Sequence, residues 1–404
     1  MVILLKRGKS MNKVVVAYSG GLDTNYCVKY LQEKGYEVVT ATVDTGGFPA
    51  EELARIESVA YEAGATKHYT VNAIEDVYQR FGTRIIQGNI LRGGVYPLVV
   101  GAERVIQAEK IVEIAKEVGA SAVAHGSTGA GNDQVRFDVT FQTLAPELEV
   151  IAPIRELRLT REEETAYLQE RGLEISAARK KYSINEGIFG VTIGGGETHN
   201  PWEAIPEEAY VLTRALADVS DVSREVIVGF ENGVPVSLDG VAMPGHEVLA
   251  TLNSIGGEYG FGRGIHIGDT ILGIKGRIAF EAPGMLALIR AHQELEKIVL
   301  SKSQLEWKQI VGQTYGTFMH EAKWYEPLMR DWEAFLDSSQ QYVTGSARLR
   351  YEKGHCLVTG VQAEKSALSS GTLYGEESSL WNGEEARGFS KIYGIGSAIF
   401  HRMR

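Results

Sequence analysis

Cysteine is nearly absent from this chain: Cys27 and Cys356 are the only two in 404 residues. Two distant thiols cannot form a disulfide framework, and they fit a reducing compartment. Long apolar runs are missing as well. The opening residues hold too short an apolar stretch for a signal peptide, and no run approaches the ~20 residues needed to cross a bilayer. The expectation is a cytoplasmic protein, with residues 1–10 a frayed extension ahead of Met11. Positive charge is in deficit, 41 Lys and Arg against 52 Asp and Glu, a net −11. Such a surface repels a phosphate backbone, which disfavours broad nucleic-acid binding but leaves room for a local basic pocket. Common catalytic signatures are also missing: no HExxH helix, no CxxC pair and no Ser-His-Asp arrangement, with nine scattered histidines.

Glycine is what the chain has in excess, 46 residues, as expected where many turns or backbone-to-ligand approaches are needed. The length favours two or three domains. Short β-rich runs at 13–18, 37–43, 67–71 and 121–124 alternate with helical patterns at 22–34, 50–63 and 105–118. Repeated βαβ units predict an α/β fold whose parallel sheet carries helices on both faces and binds ligands beyond the carboxyl ends of its strands. After about residue 180 the pattern changes. Residues 182–200 read as irregular and Gly-rich, 225–238 as a hairpin about Asn232-Gly233, and 244–253 as a helix. Strand-like runs follow at 265–281, then two long helical stretches over 285–337 and a second hairpin at 342–361. The predicted division is a nucleotide-binding domain at 11–180, an α+β domain at 181–380, and a weakly periodic tail at 381–404 that reaches an oligomer contact.

Two loops carry the chemistry. AYSGGLDTN, residues 17–25, lies between a strand and a helix. Consecutive Gly amides and a helix N-terminus cradle anions, Ser19 and Thr24 add hydroxyls, and Asp23 can hold a divalent cation against phosphate oxygens. A plain βα turn is the competing reading, and Ser, Asp and Thr at these offsets weigh against it. The turn has no Lys, so it is not a Walker loop. AHGSTGAGNDQVRF, residues 124–137, follows another strand and gathers Thr128, Asn132, Asp133 and Arg136 around three glycines. It starts like a dinucleotide fingerprint, but Gln134 stands where the third Gly belongs. His125 reads as a loop-packing residue.

AYSGGLDT resembles the PP-loop of N-type ATP pyrophosphatases, and with AHGSTGAGNDQVRF it resembles the argininosuccinate synthase family. YSINEG at 182–187 and GRGIHIGDTILGIKGR at 262–277 fall where that family has further motifs. The resemblance implies an adenine-nucleotide hydrolase-like domain followed by a synthetase domain. It implies ATP and Mg²⁺, with ATP on Ala17, Tyr18, Ser19, Gly20, Gly21, Leu22, Asp23, Thr24, Asn25, Val43 and Gly126. Thr128, Asn132 and Asp133 would take aspartate. Tyr96, Asn132, Arg136, Ser183 and Thr192 would take citrulline. Asp23, Arg136 and Asp133 would carry catalysis, Asp23 also holding the metal. The implied reaction makes a citrullyl-adenylate and pyrophosphate, then argininosuccinate and AMP, in a cytoplasmic homotetramer of arginine biosynthesis without nucleic-acid or membrane partners.

The sequence departs from the family pattern at Asn25 and Ala130, and at the substrate positions Gly101, Thr192, Gly268 and Phe280. Gly268 stands where the family has a Glu near the charged α-amino group of citrulline, and Gly101 and Gly268 remove side-chain volume, so an Nα-acylated citrulline, uncharged there and larger, is an alternative acceptor. His266 and Asp269 are neighbours that could compensate for an ordinary one. A PP-loop tRNA-modifying enzyme is the more distant alternative, opposed by the acidic charge and the two distant cysteines.

Overall fold

A computed structural model describes residues 12–173, 181–369, 375 and 380–404, so the expected extension at 1–10 lies outside the described residues. Hydrophobic runs form the first strands: β1 (Lys13–Ala17), whose middle is fully buried, and β2 (Glu37–Asp44), buried along nearly its whole length. With β3 (Lys67–Asn72), β4 (Ala122–His125) and β5 (Glu149–Ile151) they make a parallel sheet in the order β3-β2-β1-β4-β5. Burial on both faces explains the unbroken Val and Ala runs. The helices of this half are α1 (Leu22–Glu33), α2 (Ala50–Ala63), short α3 (Ile74–Val77) and α4 (Thr83–Gln87), α5 (Glu103–Val118), α6 (Asp133–Leu144), α7 (Pro153–Leu157) and α8 (Arg161–Gln169). Strand order reverses between β1 and β4, where Ala17 pairs with His125. Both Gly-rich loops therefore leave adjacent strands at the switch point, where such sheets bind ligands.

The second half is antiparallel. One sheet runs β11-β12-β7-β6, from β6 (Tyr182–Gly187), β7 (Gly190–Gly195), β11 (Arg263–Asp269) and β12 (Lys275–Glu281). The other runs β10-β9-β8-β13-β14, from β8 (Arg224–Glu231), β9 (Val234–Leu238), β10 (Val241–Ala242), β13 (Gly345–Glu352) and β14 (His355–Ala363). Helices α9 (Gly245–Glu258) and α10 (Pro283–Lys297) pack on these sheets, and α11 (Lys302–His320) packs on α12 (Pro327–Gln340). Helix α4 of the first half packs on α10, α12 and β9. One apolar core is continuous across the halves, from Phe81 and Ile106 to Phe230, Met285 and Tyr315. Among the described residues no helix is long and apolar enough to cross a membrane.

Three expectations are corrected here. Residues 182–195 are not irregular but pair as β6 and β7. Their glycines mark close strand approach instead of a loop: a Cβ on Gly190, at φ +133°, would stand 2.1 Å from the Glu281 carbonyl of β12. The helical region at 285–337 holds three helices, because Ser301 and Gln304 form a capping box and Pro327 starts another helix. The helix at 244–253 runs on to Glu258. The tail forms α13 (Gly383–Tyr393) and α14 (Ile395–Arg402), on which no side chain is buried.

Gly190→Ala should cost more than about 2 kcal/mol, from left-handed backbone strain and collision with β12. Urea denaturation of the variant against the parent checks this. A loss within the error of the method would show that the strands can shift apart.

Candidate active site

The carboxyl ends of β1 and β4 open into a cavity of about 1170 Å³. Ala17, Tyr18, Ser19, Gly20, Gly21, Leu22, Asp23 and Thr24 line it, as do Val43 and Gly126. Gly21 precedes α1 without a side-chain cap, so the first amides of the helix are left for a ligand. Gly20 has φ +71°, and a Cβ there would stand 3.0 Å from Ile56; the loop turns tightly against α2 only with glycine. Asn25 is the exception among the sequence-derived residues. Its fully buried amide donates to the Gly20 and Gly21 carbonyls at 3.1 and 2.8 Å and accepts from the Tyr18 hydroxyl at 2.6 Å. It fastens the loop from behind and does not line the cavity.

Asp23 stands beside Glu164 of α8, a buried carboxyl whose pKa is raised by burial and by the Asp23 charge. Among the described residues no group of three or more acidic, His or Cys side chains could enclose a metal ion. A cation on Asp23 would need oxygens from a ligand, which suits a metal carried by phosphates.

The second loop brings Thr128, Asn132, Asp133 and Arg136 to the same cavity. Arg136 is almost fully buried. Its Nη1 donates to Asp133 at 2.7 Å, while Nε and Nη2 donate to the His320 carbonyl at the end of α11, at 3.2 and 3.0 Å. From α5, Arg104 Nε donates to the other Asp133 oxygen at 3.0 Å and Nη2 to Asn185 of β6 at 3.2 Å. Burial alone would raise the Asp133 carboxyl, but Arg104 and Arg136 outweigh it and hold it well below the usual carboxylate range. So weak a base cannot take a proton at neutral pH; what it can supply is charge and position. Behind Arg104, Glu103 is buried and pushed up to about 7 by desolvation, which outweighs the attraction of Arg104.

From the second half come Ser183 and Thr192 on β6 and β7, and His266, Gly268 and His320. Tyr96 lines the cavity with its ring, since its hydroxyl is engaged with the Val100 backbone at 3.0 and 3.3 Å. Asn132 accepts from the Ile271 amide at 2.9 Å, tying the second loop to the turn after β11. His125 is buried, 2.9 Å from Asp138 and stacked on Phe137, at the margin of the cavity. The space freed at Gly101 and Gly268 is not vacant. A Cβ on Gly101 would stand 2.9 Å from the Arg136 guanidinium, and one on Gly268 2.6 Å from the His266 ring. The volume argument for an acylated acceptor therefore loses its footing.

Sequence reasoning missed Arg104, Asn185 and His320. Arg104 had a usable signal, an Arg opening a helix eight positions after Tyr96; the His320 carbonyl had none, because its part depends on where α11 ends.

The chain matches two family models, the arginosuccinate synthase N-terminal HUP domain over residues 13–174 and the arginosuccinate synthase C-terminal domain over 182–400. Curated relatives include the argininosuccinate synthases of Methanocaldococcus jannaschii, 41% identical over 96% of this chain and 98% of the relative, and of Pyrococcus furiosus, 40% identical over 97% and 95%. That of Bacillus thuringiensis is 39% identical over 97% of each.

The Asp133 clamp carries a pH signature. A carboxyl depressed in the folded state adds stability above its unfolded pKa, near 3.9, and loses it as pH falls through the folded value. Asp133→Asn should therefore be less stable than the parent by a constant amount between about pH 5 and 8, with the gap closing below about pH 4. Urea midpoints across pH test this; a gap that does not narrow in acid would remove the clamp's charge from the stability.

Proposed function

The chain belongs to the argininosuccinate synthase family, and from that premise we propose that it is an ATP-dependent ligase joining citrulline and aspartate into argininosuccinate, with AMP and pyrophosphate released. The observation that carries this reading is the convergence of both Gly-rich loops, from adjacent parallel strands, on one cavity that β6, β7 and β11 close from the other half.

The ureido oxygen of citrulline is a weak nucleophile, so positioning and charge neutralisation must supply most of the acceleration. The amides of residues 19–24 hold the phosphates of ATP, with Val43 and Gly126 against the nucleoside. Mg²⁺, held by Asp23 and the phosphates, would neutralise charge on the departing pyrophosphate. Arg136, Ser183, Thr192, Asn132 and the Tyr96 ring hold citrulline so that its ureido oxygen meets the α-phosphorus. That oxygen forms a bond to phosphorus as the bond to pyrophosphate breaks. The aspartate amine, placed by Thr128, Asn132 and Asp133, then attacks the ureido carbon, and the bond from that carbon to the AMP oxygen breaks. Asp133 attracts the amino group while remaining ionised.

We further propose that the chain works in the cytoplasm as a homotetramer, divided at 11–180 and 181–380 with the 381–404 tail between subunits. Support for the tail comes from its exposed apolar side chains, among them Trp381, Phe389, Ile392, Tyr393 and Phe400, since large apolar patches seldom stay in water.

Pyrophosphate release should require ATP and citrulline, and AMP release should require aspartate as well; release with no need for citrulline would refute the assignment. Asp23→Ala should cut pyrophosphate release by at least about 100-fold, the scale of a lost electrostatic group, with circular dichroism unchanged. Near-normal release would exclude Asp23 from the chemistry. A chain ending at residue 380 should contain fewer subunits per particle by light scattering; an unchanged subunit number would free the tail from assembly.

A further inference from the structure

Strand β11 turns His266 and Gly268 toward the cavity, while Ile265 and Ile267 face outward and are exposed. The His266 ring is held on three sides. It stacks on Tyr96 with centroids 5.4 Å apart and planes at 19°. Nε2 lies over Gly268, where a Cβ would come within 2.6 Å, and Nδ1 over Gly93, where a Cβ would come within 3.2 Å. Neither flank offers a side chain, and no hydrogen bond from a described residue to the imidazole is found. The ring is fixed in place, yet its nitrogens stay uncommitted.

The charges around it are uneven. Arg92 and Tyr96 approach from the segment before α5, Arg136 from α6, His320 and Glu321 from the end of α11, and Asp269 from its own strand. A substrate carboxylate has arginines to meet. Carboxylates beside the ring are engaged elsewhere: Asp133 is clamped by two arginines, Asp269 is paired with Lys275 at 2.7 Å, and Glu321 with Lys323 at 2.8 Å, while Glu186 lines the cavity from β6. Burying an ammonium with no acceptor is costly.

We propose that His266 is a specificity-determining residue, its neutral imidazole accepting a hydrogen bond from the α-ammonium of the ureido amino acid. This rests on the citrulline reading above. Burial, and then the Arg92 charge, hold His266 below its ordinary value of 6.5, so the lone pair persists into mildly acid solution. Protonation fills that lone pair and sets two cations face to face, so use of citrulline falls as pH drops through the His266 value.

The test is steady-state pyrophosphate release by the full-length enzyme with citrulline, comparing the parent with His266→Ala and His266→Gln. The Ala variant should raise the citrulline KM about tenfold or more, the scale of one lost hydrogen bond to a charged group, leaving the KM for ATP and aspartate within about twofold. The Gln variant keeps a carbonyl acceptor that does not titrate. It should recover most of the citrulline KM and lack the parent's acid limb in kcat/KM for citrulline. An unchanged citrulline KM in the Ala variant overturns the proposal, as does the same acid limb in the Gln variant. Three KM values rising together would also overturn it, by making the role merely structural. If the Ala variant fails to fold, the Gln variant and its pH profile still decide. Absence of citrulline-dependent release in the parent itself would refute the function, and this proposal with it.

Discussion

One buried guanidinium holds the two halves of this protein at a common site. Arg136 belongs to α6 of the parallel sheet, yet two of its nitrogens donate to the last carbonyl of α11. A helix C-terminus carries partial negative charge, so a cation there is favourable, and more so where water is excluded. The remaining nitrogen holds Asp133, which Arg104 grips from the opposite side, and Arg104 continues to Asn185 on β6. Four elements from both halves are thus fixed by one alternating chain of charge. Removing a member leaves an uncompensated buried charge, a loss of roughly 3–5 kcal/mol in comparable cases.

The same economy governs the first Gly-rich loop. For the proposed reaction, this loop, which has no lysine, would hold phosphate with backbone amides, which need no side-chain ordering. The cost lies in keeping so sharp a turn, and Asn25 meets it with its one amide on two carbonyls and a tyrosine hydroxyl. A residue drawn from the first motif thus fastens its loop without facing the cavity.

Much of this was legible in the sequence, for definable reasons. The parallel sheet could be read because buried β1 and β2 are continuous Val, Ala and Thr runs punctuated by glycine. The two loops could be read because local chemistry follows each strand directly. Residues 182–195 misled because glycine marks loops on average, whereas at Gly190 it is needed where two backbones nearly touch. Arg104 and His320 were hidden because their importance is made by tertiary placement. Gly101 and Gly268 were legible as missing volume but not as occupied volume, since the Arg136 and His266 side chains that fill it come from elsewhere in the fold or fold back along the strand.

These placements resolve a conflict in the composition. A chain with net charge −11 repels ATP and aspartate at long range, yet the proposed reaction needs both. Arg55, Arg104, Arg136 and Arg161 all line the one cavity, where low-dielectric walls focus their field, and salt screens the acidic exterior beyond about 8–10 Å. Inside, the positive groups are not left as a bare excess. Arg104 and Arg136 share Asp133, Arg55 is forked on Glu52, and both His266 and His320 are kept neutral by burial and neighbouring arginines. The cavity can therefore accept an anion by exchange of partners, without first carrying the self-repulsion of six cations. Its neutral histidines are part of that balance: protonating them would tighten the grip on phosphate and carboxylate while excluding the ammonium of the acceptor.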